Sequence, residues 1–190
     1  MKRIIIVVDC QHDFINPNGA LYVPGGQNAS WNISDEIPNM DGVVFTADWH
    51  PVEHCSFEEN GGQWKRHCVE YSRGASIPYH LLLQARNKPT LFLEKGKKPN
   101  VEEYGAFESD ENCAKFAKWL GTHFKNEKEI EVYICGVAGD YCVYNTAKSL
   151  MAVKPKQISG VFVLSDMCPC INPEFDFLKA FSDIGVAFAN

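Results

Sequence analysis

Short apolar runs, separated by polar and helical stretches, dominate the pattern of this chain. Six runs rich in Val, Ile, Leu and Phe have the length of β-strands. Continuous apolar runs, unlike alternating ones, are typical of parallel strands buried on both faces. The predicted strands lie at residues 3–8, 43–47, 90–94, 131–136, 160–165 and 185–188.

Helical patterns alternate with these strands. Ser109 is a predicted N-cap, because two acidic residues follow it and favour the first turn of a helix. Further helices are predicted at 77–86, at 142–152 and from Pro173 to Gly185. Strands that alternate with helices predict an α/β protein whose parallel sheet is covered on both faces. The helix after Ser109 has one apolar face, formed by Cys113, Phe116, Ala117, Leu120 and Phe124.

Two long segments, 10–30 and 50–75, are rich in Gly, Pro, Asn and His and are predicted to be loops. Each follows the carboxyl end of a predicted strand, which is the edge where open α/β sheets bind ligands. Long loops in compact domains are usually functional. We therefore expect both segments to wall the same pocket.

Composition and charge narrow the class of protein. The 190 residues, of which 45% are hydrophobic and 22% charged, fit one domain over residues 1–190. A net charge of -6 argues against a nucleic-acid partner, which requires a basic face. No apolar stretch approaches the roughly 20 residues that span a bilayer, and the run after Arg3 is too short for a signal peptide. We expect a cytoplasmic protein with a small-molecule ligand, and a homo-oligomer is compatible with the sequence.

Four residues that carry chemistry stand near the ends of predicted strands. Asp9 follows the first apolar run, Asp48 the second and Lys95 the third, and Cys142 lies shortly after the fourth. The carboxyl ends of parallel strands meet at one edge of a sheet. We therefore expect two carboxylates, an ammonium group and a thiol to converge there.

Cys142 is a candidate nucleophile. The segment 135–142 passes from a strand through a glycine-containing turn into a helix, so Cys142 is predicted near a helix N-terminus. Free N–H groups at such an end stabilise a thiolate, and they can also hold an oxyanion. Asp9 would supply the base, and Lys95 the neighbouring cation. A buried core cysteine is the alternative that position alone leaves open.

Three of the six histidines lie within one short segment. His50 and His54 are four residues apart, on one face of a helical turn, and His67 follows further along the chain. With Asp48 they form a mixed Asp/His set that suits Zn, Fe or Mn better than Ca or Mg. The pattern predicts one divalent transition metal, most readily Zn, with open coordination positions.

Several segments resemble motifs of the isochorismatase-like cysteine hydrolases, and of the nicotinamidases in particular. Each motif alone is weak evidence, but all occur in order between residue 8 and about residue 147. They are residues 8–14 (VDCQHDF), 46–57 (TADWHPVEHCSF), 64–69 (WKRHCV), 95–96 (KG), 104–107 (YGAF) and 136–143 (GVAGDYCV).

This resemblance implies a three-layer α/β/α sandwich with a six-stranded parallel sheet. It implies a catalytic triad of Asp9, Lys95 and Cys142, and an oxyanion hole formed by the backbone N–H groups of Ala138 and Cys142. It also implies a cis peptide between Val137 and Ala138. The remaining implied site residues are the metal ligands Asp48, His50, His54 and His67 and the substrate-binding aromatic residues Phe14, Trp64 and Tyr104.

Three positions depart from the family pattern. Gly139 replaces a usual Thr or Ser, Gly105 replaces a usual Ser, and His12 replaces a common Asn. None belongs to the implied triad or metal ligands. The departures therefore concern the detail of the pocket more than the reaction.

The resemblance implies metal-dependent hydrolysis of nicotinamide to nicotinate and ammonia, in NAD salvage, through a cysteine thioester. Pyrazinamide is expected as a further substrate. One alternative is a related amidohydrolase that acts on a carbamoyl or ureido substrate. Another is a non-catalytic zinc-binding or thiol-redox protein that uses the eight cysteines, above all Cys168 and Cys170. This second alternative leaves Asp9 and Lys95 unexplained.

Overall fold

Six parallel strands form one sheet in the order β3-β2-β1-β4-β5-β6. In this computed structural model, which describes residues 1–189, each predicted apolar run overlaps a strand. The apolar residues of the two strands nearest the N-terminus are fully buried, as continuous apolar runs predict. The strands are β1 (Lys2–Val8), β2 (Gly42–Asp48), β3 (Thr90–Lys95), β4 (Ile130–Gly136), β5 (Ile158–Leu164) and β6 (Ala187–Ala189).

The order of the strands reverses at β1, which pairs with β2 on one side and with β4 on the other. The chain runs outward from β1 to β3 and then crosses over to β4, β5 and β6. With right-handed crossovers, the helices of the two halves cover opposite faces, which gives the predicted three-layer α/β/α sandwich. Such a reversal leaves a crevice beyond the strand ends where ligands bind.

The predicted helices form, with some shifted ends. The Ser109 hydroxyl accepts a hydrogen bond from the Asn112 N–H at 3.2 Å and caps the helix as expected. The last helix begins after Pro173, because Asp176 accepts the Lys179 N–H and serves as its N-cap. Within residues 1–189, no helix is both long and apolar enough to cross a membrane. The helices are α1 (His12–Ile15), α2 (Gly26–Glu36), α3 (Tyr79–Ala85), α4 (Asp110–His123), α5 (Tyr144–Val153) and α6 (Phe177–Asp183).

The prediction that 10–30 is a continuous loop is wrong. This segment contains α1 and the start of α2. The N-cap of α2 is Gly25 at φ +87°, a left-handed conformation that glycine adopts without steric cost. Because this helix start has none of the usual Ser, Thr, Asp or Asn caps, its sequence gives no start signal.

Candidate active site

The ends of three strands bring Asp9, Lys95 and Cys142 together. The Lys95 Nζ lies 2.8 Å from Asp9 Oδ2 and 3.5 Å from the Cys142 Sγ. It also contacts the Asp48 carboxylate. All four side chains are buried, and Lys95 is only 1% exposed. A buried ammonium group therefore links two carboxylates and a thiol, as their positions at the strand ends predict.

The Asp9 carboxylate is held from both sides. Its Oδ1 accepts the Thr46 hydroxyl at 2.6 Å, and its Oδ2 faces Lys95. Thr46 Oγ1 also accepts the backbone N–H of Asp9 at 3.2 Å. Asp9 has φ +48°, in the left-handed region that aspartate tolerates better than most residues. Sequence reasoning missed Thr46, because an inward-facing threonine in a buried strand looks like an ordinary strand residue.

Burial sets the protonation of the base and the thiol. It raises the pKa of Asp9 above its usual range, although Lys95 opposes the shift. It also raises the pKa of Cys142 well above its usual range, again against the influence of Lys95. A protonated thiol therefore lies beside a carboxylate of raised basicity. Such a thiol needs a base to become a nucleophile.

The turn that carries Cys142 differs from a regular helix start. Gly139–Val143 forms a π-helical turn, and α5 continues from Tyr144. The peptide bond between Val137 and Ala138 is cis. Ala138 and Cys142 both line the same pocket, so their N–H groups remain candidates for an oxyanion hole.

Asp48, His50 and His67 form a compact group of candidate metal ligands. Each offers one ligand atom, and these atoms lie within 4.8 Å of one another. The Nε2 atoms of His50 and His67 lie 3.5 Å and 3.7 Å from Asp48 Oδ2. All three residues are buried.

The hydrogen bonds of the His50 and His67 imidazoles orient both Nε2 atoms for binding a cation. His50 Nδ1 lies 3.0 Å from the Gly96 carbonyl, and His67 Nδ1 lies 2.6 Å from the Lys65 carbonyl. A carbonyl oxygen only accepts, so each Nδ1 carries the proton and donates. In the neutral rings, both Nε2 lone pairs then face a carboxylate oxygen. A cation between them turns this repulsion into ligation, and backbone carbonyls commonly orient ligating histidines in this way.

The structure does not place His54 in this group, although the resemblance implies it as a ligand. Its Nε2 donates to the Val101 carbonyl at 3.0 Å. Its Nδ1 accepts the Ser56 N–H at 3.2 Å and lies 2.7 Å from the Ser56 hydroxyl. Both ring nitrogens are therefore engaged, and no lone pair remains for a metal. Burial and the neighbouring His50 lower the pKa of His54, which is consistent with a neutral ring.

A second cluster of possible ligands, Asp9, Asp48 and Cys142, also lies within 4.8 Å. Here the cation is already supplied by the chain, because the Lys95 ammonium contacts all three side chains. The His50 and His67 side is therefore the place where a metal ion fits.

One pocket connects the thiol with the candidate metal ligands. Asp48, His67 and Cys142 line this pocket. The three expected aromatic residues also line it. Sequence reasoning missed five further residues of its wall, namely Leu21, Val23, Glu102, Tyr141 and Ile171.

The aromatic side chains of the pocket support one another. The Tyr104 hydroxyl accepts the Trp64 Nε1–H at 3.0 Å and the Gln63 amide at 2.9 Å. The Tyr141 ring packs edge-on against Trp64, with the ring centres 5.0 Å apart. This arrangement suits a flat aromatic ligand that is held by stacking and edge contacts.

A buried glutamine holds the backbone of Asp48. The Gln11 amide nitrogen donates to the carbonyls of Asp48 and Ala75 at 2.7 Å and 2.8 Å, and its oxygen accepts the Asp48 N–H at 2.8 Å. Gln11 belongs to the 8–14 motif but was given no role from the sequence. The polar residue types around it give no signal of a contact 37 residues away.

The cysteines that support the redox alternative are poorly placed for it. Cys168 is buried, and its Sγ lies 3.2 Å from the Leu164 carbonyl. Burial raises the pKa of Cys168 well above its usual range and that of Cys170 to about 11. Cys142 shares this effect of burial, but it alone of these three thiols has a lysine within hydrogen-bond distance.

Comparisons with known proteins agree with this fold. The family model described as "Isochorismatase domain" matches residues 3–178. The nicotinamidase of Saccharomyces cerevisiae is 34% identical over 77% of this chain and 80% of its own length. A pyrazinamidase of Pyrococcus horikoshii, solved in complex with zinc, is 32% identical with a TM-score of 0.77, over 100% of this chain and 99% of its own. The PnC1 protein from L. infantum, solved in complex with nicotinate, is 29% identical with a TM-score of 0.82, over 100% and 92% of the two chains.

The chain therefore belongs to the isochorismatase family. Its curated relatives in this family are amidohydrolases named as nicotinamidases, one of them also as a pyrazinamidase.

Proposed function

We propose that this chain is a metal-dependent nicotinamidase, which hydrolyses nicotinamide to nicotinate and ammonia. The observation that carries the proposal is the convergence of Asp9, Lys95 and Cys142 beside a candidate metal group, in a pocket lined by aromatic rings. The relatives named as nicotinamidases, and the neighbours solved with zinc and with nicotinate, support the same substrate.

The pocket would hold the pyridine ring against Phe14, Trp64, Tyr104 and Tyr141. Asp48, His50 and His67 would hold a divalent transition metal, with zinc the best match to a mixed Asp/His set. When bound, that metal supplies a Lewis acid that a pyridine nitrogen can ligate, and it so orients the ring.

Acylation begins at the thiol. Asp9, whose pKa is raised by burial, takes the Cys142 proton, and the sulfur attacks the carboxamide carbon. Lys95 stabilises the negative charge that passes between the sulfur and Asp9, because it contacts both. The N–H groups of Ala138 and Cys142 hold the oxyanion. Asp9 then protonates the leaving nitrogen, the C–N bond breaks, and ammonia leaves a nicotinoyl thioester on Cys142.

Deacylation uses the same groups, and Asp9 again takes up a proton and later returns it. Asp9 takes a proton from water, and the resulting hydroxyl attacks the thioester carbonyl. The same oxyanion hole holds the second tetrahedral intermediate. The C–S bond breaks, the sulfur recovers its proton through Asp9, and nicotinate is released. One nicotinamide and one water therefore give one nicotinate and one ammonium ion, because the nicotinic acid formed loses its proton and ammonia takes one up.

The test is an ammonia-release assay on the metal-replete protein with nicotinamide. We expect turnover with nicotinamide and none with an N-carbamoyl amino acid of similar size. The reverse preference would support the ureido alternative, and no ammonia from either would contradict an amidohydrolase. Product identification as nicotinate excludes release from a contaminating amine.

Metal content tests whether His50 and His54 both bind the metal. We expect about one divalent metal per chain by elemental analysis, and we expect His50→Ala to lose most of it, because one of three ligands is gone. His54→Ala is the matched variant, and it should retain most of the metal because the His54 nitrogens are engaged elsewhere. Equal metal loss in both variants would return His54 to the ligand set.

Ring binding can be separated from chemistry with benzamide, which keeps the amide but lacks the ring nitrogen. Misalignment of about 1 Å can cost on the order of 100-fold in rate. We expect kcat/KM for benzamide to be at least roughly tenfold lower than for nicotinamide, which is about 1.4 kcal/mol of transition-state stabilisation. Pyrazinamide keeps a nitrogen at the same position and should be hydrolysed. Equal kcat/KM values for benzamide and nicotinamide would mean that the protein does not recognise the ring nitrogen.

A further inference from the structure

The segment 168–172 is fastened to the turn that carries Cys142. Asp140 Oδ1 accepts the Ile171 N–H at 3.0 Å, and Asp140 Oδ2 accepts the Asn172 N–H at 2.7 Å. The Gly139 N–H donates to the Pro169 carbonyl at 2.8 Å. Three hydrogen bonds therefore fix this segment, which we call the 168–172 loop, to the residues just before the thiol.

Gly139 is one of the three positions that depart from the family pattern, and the 168–172 loop packs directly against it. A Cβ at this position would lie 2.5 Å from the Cys168 carbonyl oxygen and 2.8 Å from the Cys170 sulfur. Both distances are far below a normal contact, and the first involves backbone that cannot move aside. The absence of a side chain at Gly139 therefore allows the close approach of the loop.

The loop brings Ile171 to the wall of the pocket. Ile171 is 39% exposed, and it lines the same cavity as Leu21, Val23 and Cys142. Because Asp140 binds the Ile171 backbone and lies two residues from Cys142, the position of this side chain is set relative to the sulfur. An apolar residue placed in this way limits the space beside a bound ring.

We propose that Ile171 determines specificity by excluding substituents on the substrate ring, and that Asp140 is the positioning residue that holds Ile171 in place. The inference rests on the proposed function and adds a residue that limits which ring substituents the pocket accepts. An apolar wall discriminates one extra carbon by about 10- to 200-fold, so a single side chain can produce this preference.

The first experiment measures kcat/KM for nicotinamide and for nicotinamides that carry one methyl group at each ring carbon in turn. In Ile171→Ala, the ratio of at least one methylated substrate to nicotinamide should rise about tenfold or more over the unmodified protein. Ile171→Phe should lower the same ratio. Val153→Ala is the control, because Val153 is 46% exposed at the far end of α5 and should leave every ratio unchanged.

The second experiment tests Asp140 with a double-mutant cycle on the same ratio. In Asp140→Ala, the ratio of kcat/KM for a methylated substrate to that for nicotinamide should rise, and KM for nicotinamide should rise as well. Asp140→Asn keeps one acceptor oxygen and should give values between those of Asp140→Ala and the unmodified protein. Adding Ile171→Ala to Asp140→Ala should produce no further relaxation, because the two changes remove the same wall. A merely disturbed Cys142 turn would lower kcat for all substrates alike and leave the ratio unmoved.

The outcomes separate the two proposals. Unmodified protein that hydrolyses nicotinamide, together with Ile171 variants whose ratios stay within about twofold, would overturn the role of Ile171 alone. Fully additive effects of the Asp140 and Ile171 changes would overturn the positioning role of Asp140. Unmodified protein that does not hydrolyse nicotinamide would overturn the proposed function, and the specificity inference with it.

Discussion

Cys142→Ala should abolish ammonia release from nicotinamide, by at least about 10⁴-fold in kcat, because loss of the nucleophile of a hydrolase removes the covalent route altogether. The fold should persist, because the change removes one sulfur atom from a side chain that is 7% exposed at the pocket. The measurements are kcat by ammonia release, and circular dichroism with thermal unfolding to verify the fold.

Cys113→Ala provides the matched control for a lost thiol. Cys113 lies on α4, where its sulfur contacts the Phe107 carbonyl and has no lysine or aspartate partner among its hydrogen bonds. Its loss should leave kcat within about twofold. Substantial activity in Cys142→Ala, with the product still nicotinate, would exclude the thioester route and point to direct attack by water.

Lys95→Met should remove both activity and stability. Lys95 separates the buried carboxylates of Asp9 and Asp48, and its loss leaves two buried like charges side by side. Removal of one partner from a buried ion pair typically costs about 3–5 kcal/mol. We expect a loss of this size in the free energy of unfolding, measured with urea at pH 7 in the presence of a chelator.

The pH dependence of this loss has a defined sign. Without Lys95, the pKa of Asp9 rises further, because the ammonium charge no longer opposes burial and the Asp48 charge. A carboxyl group whose folded pKa exceeds its unfolded pKa destabilises the fold increasingly as the pH rises between the two values. The stability difference from the unmodified protein should therefore shrink as the pH is lowered. Lys97→Met is the control, because Lys97 forms only partly exposed ion pairs and should change stability by no more than about 1 kcal/mol.

The convergence of Asp9 and Lys95 could be predicted because both stand at the ends of apolar runs, and the ends of parallel strands meet at one edge of a sheet. Cys142 lies beyond β4 on the π-helical turn, so its position also depends on that turn. The strand at 185–188 was displaced because Gly185, at φ +77°, closes the turn after α6 and strand pairing begins only at Ala187.

The rest of the site depends on contacts that no local pattern encodes. Whether His54 ligates a metal depends on Ser56 and Val101, which take up both of its ring nitrogens. Ile171 lines the pocket, and its backbone is bound by Asp140, which is distant in sequence. The pattern of residues 135–142 predicted that Cys142 lies between a strand and a helix, but the pKa of the thiol follows from burial, which sequence position does not give.

The central position of β1 also governs how the site can form. Ile4 of β1 pairs with Val132 of β4. Forming this pairing closes most of the chain into a loop, and the entropy cost of that closure precedes the stabilising contacts. During synthesis, one apolar edge of β1 remains uncovered until β4 has been made, which is a hazard for aggregation. Since Asp9 follows β1 and Cys142 follows β4, hydrolysis cannot resume in a refolding chain before this pairing exists. Recovered ammonia release would thus report that this long-range pairing has formed, whereas recovered helix content would not.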